Sequence, residues 1–188
     1  MAKTFVEQFT DILAEQGAIS HDENKALEKI FKESGKSNFV DFLLEEGMAD
    51  KDEILKALAT YYRVASFDAV GYFFEHQLLH MFPKDFLLRN GIIPIESDDN
   101  ILLVLANNPN DSELLPKIGQ HVSYDIRFRV GILQDIIDAV QEFYDKAPTE
   151  DTYDQSLFEE HELEKEGRGI LLEEEDLQRI RGQEQDEE

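Results

Sequence analysis

The sequence predicts an α+β protein: an N-terminal four-helix subdomain of two repeated helical hairpins, followed by a small α-β-β-α-β-α sandwich with a three-stranded sheet. Three observations carry this reading. A Phe-to-Gly pattern recurs at an offset of 30 near the N-terminus. Two short aliphatic runs flank an Asp-Asp-Asn turn in the middle of the chain. Between positions 83 and 144 the apolar spacing switches from helical to alternating and back.

The repeat aligns Phe9-Thr10-Asp11-Ile12-Leu13-Ala14-Glu15-Gln16-Gly17 with Phe39-Val40-Asp41-Phe42-Leu43-Leu44-Glu45-Glu46-Gly47. After one inserted residue, Lys25-Ala26-Leu27 matches Lys56-Ala57-Leu58. Phe9, Ile12 and Leu13 share one helix face, as do Phe39, Phe42 and Leu43. Gly17 and Gly47 fall just past the helix ends, where a left-handed backbone is commonly required. Ser20 and Asp50 stand where a side-chain oxygen can cap the next helix. Residues 4–62 therefore read as two packed hairpins. Next, Pro83 to Arg89 is a short helix with Pro in its first turn, stopped at Gly91. Ile92–Ile95 and Ile101–Leu105 are strands joined through Asp98-Asp99-Asn100, and Pro94 suits an edge or strand end. Asn107–Asp111 is a loop, with Asp111 or Ser112 capping a helix to about Ile118. Tyr124–Val130 alternates as a third strand, and Leu133, Ile136, Ile137, Val140 and Phe143 follow helical spacing to Tyr144. The expected divisions are 1–68, 69–147 and 148–188.

The 188 residues include 18 Lys+Arg against 42 Asp+Glu, a net charge of −24, and no Cys. The absence of Cys removes disulfide scaffolds, Cys-ligated zinc, iron–sulfur clusters and a thiol nucleophile. The charge argues against nucleic acid as the main partner and against docking on an anionic membrane surface. No apolar run is long enough to span a bilayer, and the N-terminal residues lack a signal-peptide core, so a cytoplasmic location is expected. Residues 148–188 hold 16 acidic and 4 basic residues, half of the net charge, and read as a mostly disordered tail. Ile170, Leu171, Leu172, Leu177 and Ile180 can line one face of a short helix there, either a marginal one or one that docks on a partner.

Several stretches share an order and spacing with a known family. The Leu-x-Glu-x-Gly turns at Leu13–Gly17 and Leu43–Gly47 precede Ala57-Leu58-Ala59-Thr60-Tyr61-Tyr62-Arg63-Val64-Ala65-Ser66-Phe67-Asp68. Gly91-Ile92-Ile93-Pro94-Ile95 follows, and then Leu103–Asp111, an aliphatic strand running into an Asn-, Pro- and Asp-containing loop. Together, over roughly residues 4–145, they resemble the N-terminal region of type II secretion and type IV pilus assembly ATPases (GspE N-terminal and MshEN-like). The resemblance implies a domain that docks such an ATPase to the cytoplasmic face of its membrane platform, and that binds cyclic di-GMP in one branch. The motor's Gly-x-x-x-x-Gly-Lys-Ser/Thr loop does not occur in this sequence. The expected role is a non-enzymatic interaction or regulatory module without the motor. Its expected partner is a protein, either an assembly ATPase or the cytoplasmic part of an inner-membrane platform protein.

In the cyclic di-GMP branch each repeat opens with Arg-Leu-Gly and ends with Gln. Arg supplies charge and a planar face, Gly permits close backbone approach, and Gln reads an edge. The matching positions here hold Gln8-Phe9-Thr10 and Asn38-Phe39-Val40, and the Gln positions hold Phe31, in a shifted register, and Tyr61. The ligand groups are gone, so Phe9 and Phe39 read as core and no cofactor is expected; a sensor of cyclic di-GMP or a related nucleotide is the alternative function. His76 and His80 have the i, i+4 spacing of a metal pair but lack a third ligand, and no metal is expected. His21, His121 and His161 suggest no triad. Among the aromatics Tyr61, Tyr62, Phe67, Tyr72, Phe73, Phe74 and Phe82, most should pack the joint between the subdomains. Tyr72, Phe73 and Phe74, with Leu171, Leu172 and Leu177 of the tail, are candidates for a partner surface.

Overall fold

Both copies of the repeat turn on the same backbone hydrogen bonds. In the computed structural model, which describes residues 3–146, α1 (Phe5–Glu15) and α2 (His21–Ser34) form the first hairpin. α3 (Phe39–Glu45) and α4 (Lys51–Tyr62) form the second. The N–H of Gly17 donates to Ala14 O and that of Ala18 to Leu13 O; Gly47 donates to Leu44 O and Met48 to Leu43 O. This paired pattern closes a helix only when the glycine takes positive φ, and Gly17 and Gly47 have φ of 77° and 63°. The next helices start on matching capping boxes, Ser20 with Glu23 and Asp50 with Glu53, and α1 starts on a third, Thr4 with Glu7.

The helical core gathers Phe9, Leu13, Leu27, Phe39, Phe42, Leu43, Ile54 and Leu58. Burying each such side chain contributes about 1.5–3 kcal/mol, enough to define the helix faces. α1 packs on both α2 and α4. Rings join the copies: Phe9 meets Phe39 edge-on, and Phe31 of α2 sits 4.9 Å from Phe39.

A short helix α5 (His76–Leu79) precedes α6 (Lys84–Asn90), which has Pro83 at its N-cap and ends at left-handed Gly91. The sheet follows, with order β1-β2-β3 for β1 (Ile92–Asp98), β2 (Ile101–Ala106) and β3 (Asp125–Val130). β1 and β2 form an antiparallel hairpin with positive φ at Asp99. Pro94 lies on the edge strand, next to a register shift between Pro94 and Glu96, where its missing N–H costs least. β2 and β3 run parallel, connected through α7 (Leu114–Ile118). α8 (Leu133–Lys146) and α6 pack against each other and against the sheet. The second core holds Leu78, Leu79, Leu87, Ile92, Leu102, Val104, Leu114, Ile136 and Val140.

The two cores meet through β3. Val130 and Ile132 belong to the helical cluster. After α4, Arg63 turns left-handed and Ser66 bridges Val130 in parallel: Val130 N–H donates to Ala65 O at 3.0 Å and Phe67 N–H to Val130 O at 2.9 Å. Lys51, first residue of α4, reaches Asp68 at 2.6 Å and Asp135 of α8 at 3.0 Å.

Three expectations need correction. α5 adds a helix ahead of the α-β-β-α-β-α series. Neither Asp111 nor Ser112 caps α7: the helix begins at Leu114 with no side-chain cap, and Asp111 accepts from Glu113 N–H instead. Pro116, third in that helix, removes an N–H that a cap would have bonded. The aromatics do not form one joint either: Tyr61 and Tyr62 pack on the helical core, while Phe67, Phe74 and Phe82 belong to the sheet core.

Candidate functional site

Phe39 starts α3, its ring packs edge-on against Phe31 of α2, and the chain between those helices shares a lining with residues that follow β2 and β3. The result is a cleft of about 380 Å³. Phe5, Val6, Phe31, Phe39, Leu58 and Tyr62 form its helical wall. Asn107, after β2, and Gly131-Ile132-Leu133, where β3 leads into α8, form the other. Ser37, Asn38 and Val40 complete it. Asn38 Oδ1 is already occupied, accepting from Val40 N–H at 3.0 Å and Asp41 N–H at 3.4 Å, which leaves its amide NH₂ as the donor. Asn107 is anchored by its N–H to Gly91 O at 3.0 Å. A side chain at position 91 would run into the Asn107 amide, so glycine is required there for contact as well as for φ. Burial, with the neighbouring Tyr61, pushes the Tyr62 phenol up to about 12, so it stays a neutral donor throughout the physiological range. The lining contains no Lys or Arg.

The structure thus separates the two degenerate nucleotide motifs. The second, Asn38-Phe39-Val40, lines the cleft together with Phe31. The first does not. Phe9 and Thr10 are fully buried, Thr10 Oγ1 donating back to Val6 O, and Gln8 is exposed with its amide on Lys3 O. Tyr61 stacks edge-on against Phe5 and Tyr62 just outside.

Of the three aromatics expected on a partner surface, Phe74 is corrected: it is buried in the sheet core. Tyr72 packs between Phe67 and Phe74, and Phe73 remains 84% exposed beside Val70 at 65%. Their loop is fixed, because Asp68 accepts from Val70 N–H and pairs with Lys51. Leu171, Leu172 and Leu177, and the tail as a whole, lie outside the described residues. His76, on α5, and His80, at its C-cap, are exposed, and their rings meet that of Phe143 tilted and edge-on. Among the described residues no group of three metal-binding side chains occurs, and no helix is long and apolar enough to cross a membrane.

With this geometry in place, residues 75–150 match the MshEN domain family. Solved structures extend the likeness over more of the chain. MshE, solved with cdg, matches with a TM-score of 0.58 at 18% identity, covering 72% of this chain and 98% of that one. The N-terminal domain of XpsE matches with a TM-score of 0.52 at 17% identity, covering 75% and 97%. No curated protein matches significantly. The fold is therefore that of these two structures, and the resemblance to the secretion and pilus ATPase family stands.

Two features escaped the sequence reading. The far wall of the cleft, Asn107 and Gly131–Leu133, is distant in sequence from Asn38 and carries no distinctive residue type. The sheet face at β3 shows two arginines, Arg127 and Arg129, at one register parity. Their alternation with Ile126, Phe128 and Val130 was the available signal.

Proposed function

We propose that this chain is a non-enzymatic protein-interaction and regulatory module, related to the N-terminal docking domains of secretion or pilus assembly ATPases and acting in the cytoplasm. The observation that carries the reading is the cleft. It retains the position of the repeat motif, but aromatic, aliphatic and amide groups line it without a cation. A dinucleotide brings two phosphates, which need Arg or Lys to offset their desolvation. An apolar side chain of a protein partner needs neither. The partner is an assembly ATPase or the cytoplasmic part of an inner-membrane platform protein. Affinity capture with the full chain, in cells that carry such a machine, is expected to recover one of these components. Recovery of none of them overturns the reading.

A cyclic di-GMP sensor is the second reading. MshE was solved with cdg, and Phe5, Phe31, Phe39 and Tyr62 offer ring faces on which a purine can stack. Titration calorimetry separates the two: saturable heat with cyclic di-GMP favours the sensor, and no heat at high micromolar ligand removes it.

A further inference from the structure

The hydrogen-bond parity of β3 leaves one edge of the sheet open. Asp125 N–H donates to Asn100 O and Gly131 N–H to Ala106 O, so the odd-numbered residues of β3 bond to β2. The even-numbered residues point outward. Val130 uses its outward N–H and C=O on Ala65 and Phe67. Arg63 then turns the chain away. Ile126 and Phe128 keep an outward donor and acceptor each, with no partner among the described residues.

Beside this edge lies a hollow of about 340 Å³ lined by Ala65, Glu96, Ile101, Leu103, Arg127 and Arg129, among others. Register explains the set. Glu96, Leu103 and Arg127 form one cross-strand row, and Leu105 and Arg129 share the next. Phe128 also lines the hollow, although its side chain belongs by parity to the opposite face, so the hollow reaches the main chain of the free edge. Neither Arg127 nor Arg129 has an ion pair among the described residues, in a chain with more than twice as many carboxylates as cations.

We propose that the β3 edge receives an extended segment of a partner protein, in which one acidic residue is flanked by aliphatic ones. The added strand pairs with the outward groups of Ile126 and Phe128, its acidic side chain lies beside Arg127 within reach of Arg129, and its aliphatic neighbours lie on the Ile126 and Phe128 side. Strand addition draws affinity from the main chain and specificity from alternate side chains. Glu96 and Asp98 stand two strand spacings away, roughly 9–10 Å, and keep an acidic segment to the β3 side. This proposal rests on the protein-interaction reading and names its surface.

The test is an NMR titration of the full chain with a blocked peptide Thr-Val-Glu-Val-Thr, whose pattern is the same in both strand directions. Shifts and slowed hydrogen exchange are expected at the Ile126 and Phe128 amides, with the Gln-for-Glu peptide about tenfold weaker. Arg127→Gln should abolish the difference between the two peptides. No shift at these amides, equal binding of both peptides, or shifts that grow with protein concentration in the absence of peptide would each overturn the proposal; the last would assign the edge to a second copy. Affinity capture is the separate control. A machine component still captured by Arg127→Gln, with no peptide response, sinks the edge and spares the interaction reading. Peptide binding without any captured component upholds the edge and sinks that reading.

Discussion

The two hairpins have the same turns but not the same role. Both close on matching hydrogen bonds and both reopen on a capping box. Between the capping glutamate and the shared Lys-Ala-Leu, however, the first copy has Asn24 and the second has Ile54-Leu55. That one-residue insertion puts Ile54 and Leu55 in the core with Ala57 and Leu58. In α2, among the described side chains, Leu27 is buried and Ile30 is exposed. α4 thus packs on α1 on one side and β3 on the other, whereas α2 lies at the rim. A duplication can preserve turn chemistry, which is local, while burial drifts with the neighbours each copy acquires.

The largest expected effect tests this asymmetry. Ile54→Ala should lose about 3 kcal/mol in urea unfolding, since Ile54 is fully buried and its site cannot collapse easily. Leu27→Ala, at the rim, should lose about 2 kcal/mol or less. Equal losses would break the comparison.

Lys51 comes next, because it ties the second copy to α8 and to the loop at Asp68. Lys51→Ala leaves Asp135 half-buried without its cation, for a loss of about 1–2 kcal/mol. The pH dependence supplies a signature. Burial alone would raise the Asp68 carboxyl, but hydrogen bonds from Lys51 and from Val70 N–H bring it below its ordinary value. A lowered carboxyl stabilises the fold above its unfolded pKa, and that stability is lost as pH falls through the folded one. Lys51→Ala should flatten this acid limb in thermal melts taken below about pH 4.

These cases show which parts of the fold were legible. The hairpins could be read because Gly17, Gly47, Ser20 and Asp50 act within one turn of chain. The strands could be read from alternation and from the Asp-Asn turn. The parallel pairing of β2 with β3 could not, because nothing local in Tyr124–Val130 specifies a direction. The same holds for the cleft. Asn38 and Phe39 were singled out as motif positions, but whether they face a cleft or a core depends on Asn107 and Ile132, which arrive from elsewhere in the chain. Phe9, at the equivalent place in the first copy, is buried as Phe39 is but does not line the cleft.

The glycines offer a sharper comparison, because here the copies should agree. A Cβ at Gly17 or Gly47 would meet nothing within 4 Å, so alanine is disfavoured by backbone conformation alone. Each Gly→Ala change should cost about 1 kcal/mol, the same within error, whatever the burial of its hairpin. Unequal costs in chemical denaturation would show that the turns are not equivalent.

The smallest effect separates the copies again, at Asp11 and Asp41, which occupy one repeat position. Asp11 meets Lys3 at 2.6 Å near solvent. Asp41 has a buried Oδ1 with no hydrogen bond, and burial, then Glu45 and Asp135, holds its carboxyl above the ordinary value. The first turn of α3 favours a negative charge by about 0.3–1 kcal/mol, which opposes the cost of burial and of two neighbouring carboxylates. A raised carboxyl binds more protons in the folded state, so its ionisation destabilises the fold as pH rises above its unfolded pKa. Asp41→Asn should therefore raise the thermal midpoint by about 1–3 °C at pH 7, with the gain fading as pH falls to the ordinary carboxylate range. Asp11→Asn, which removes a paired charge, should leave the midpoint level or slightly lower. A fall at position 41 would mean that the helix dipole outweighs burial, and that the two aspartates are equivalent after all.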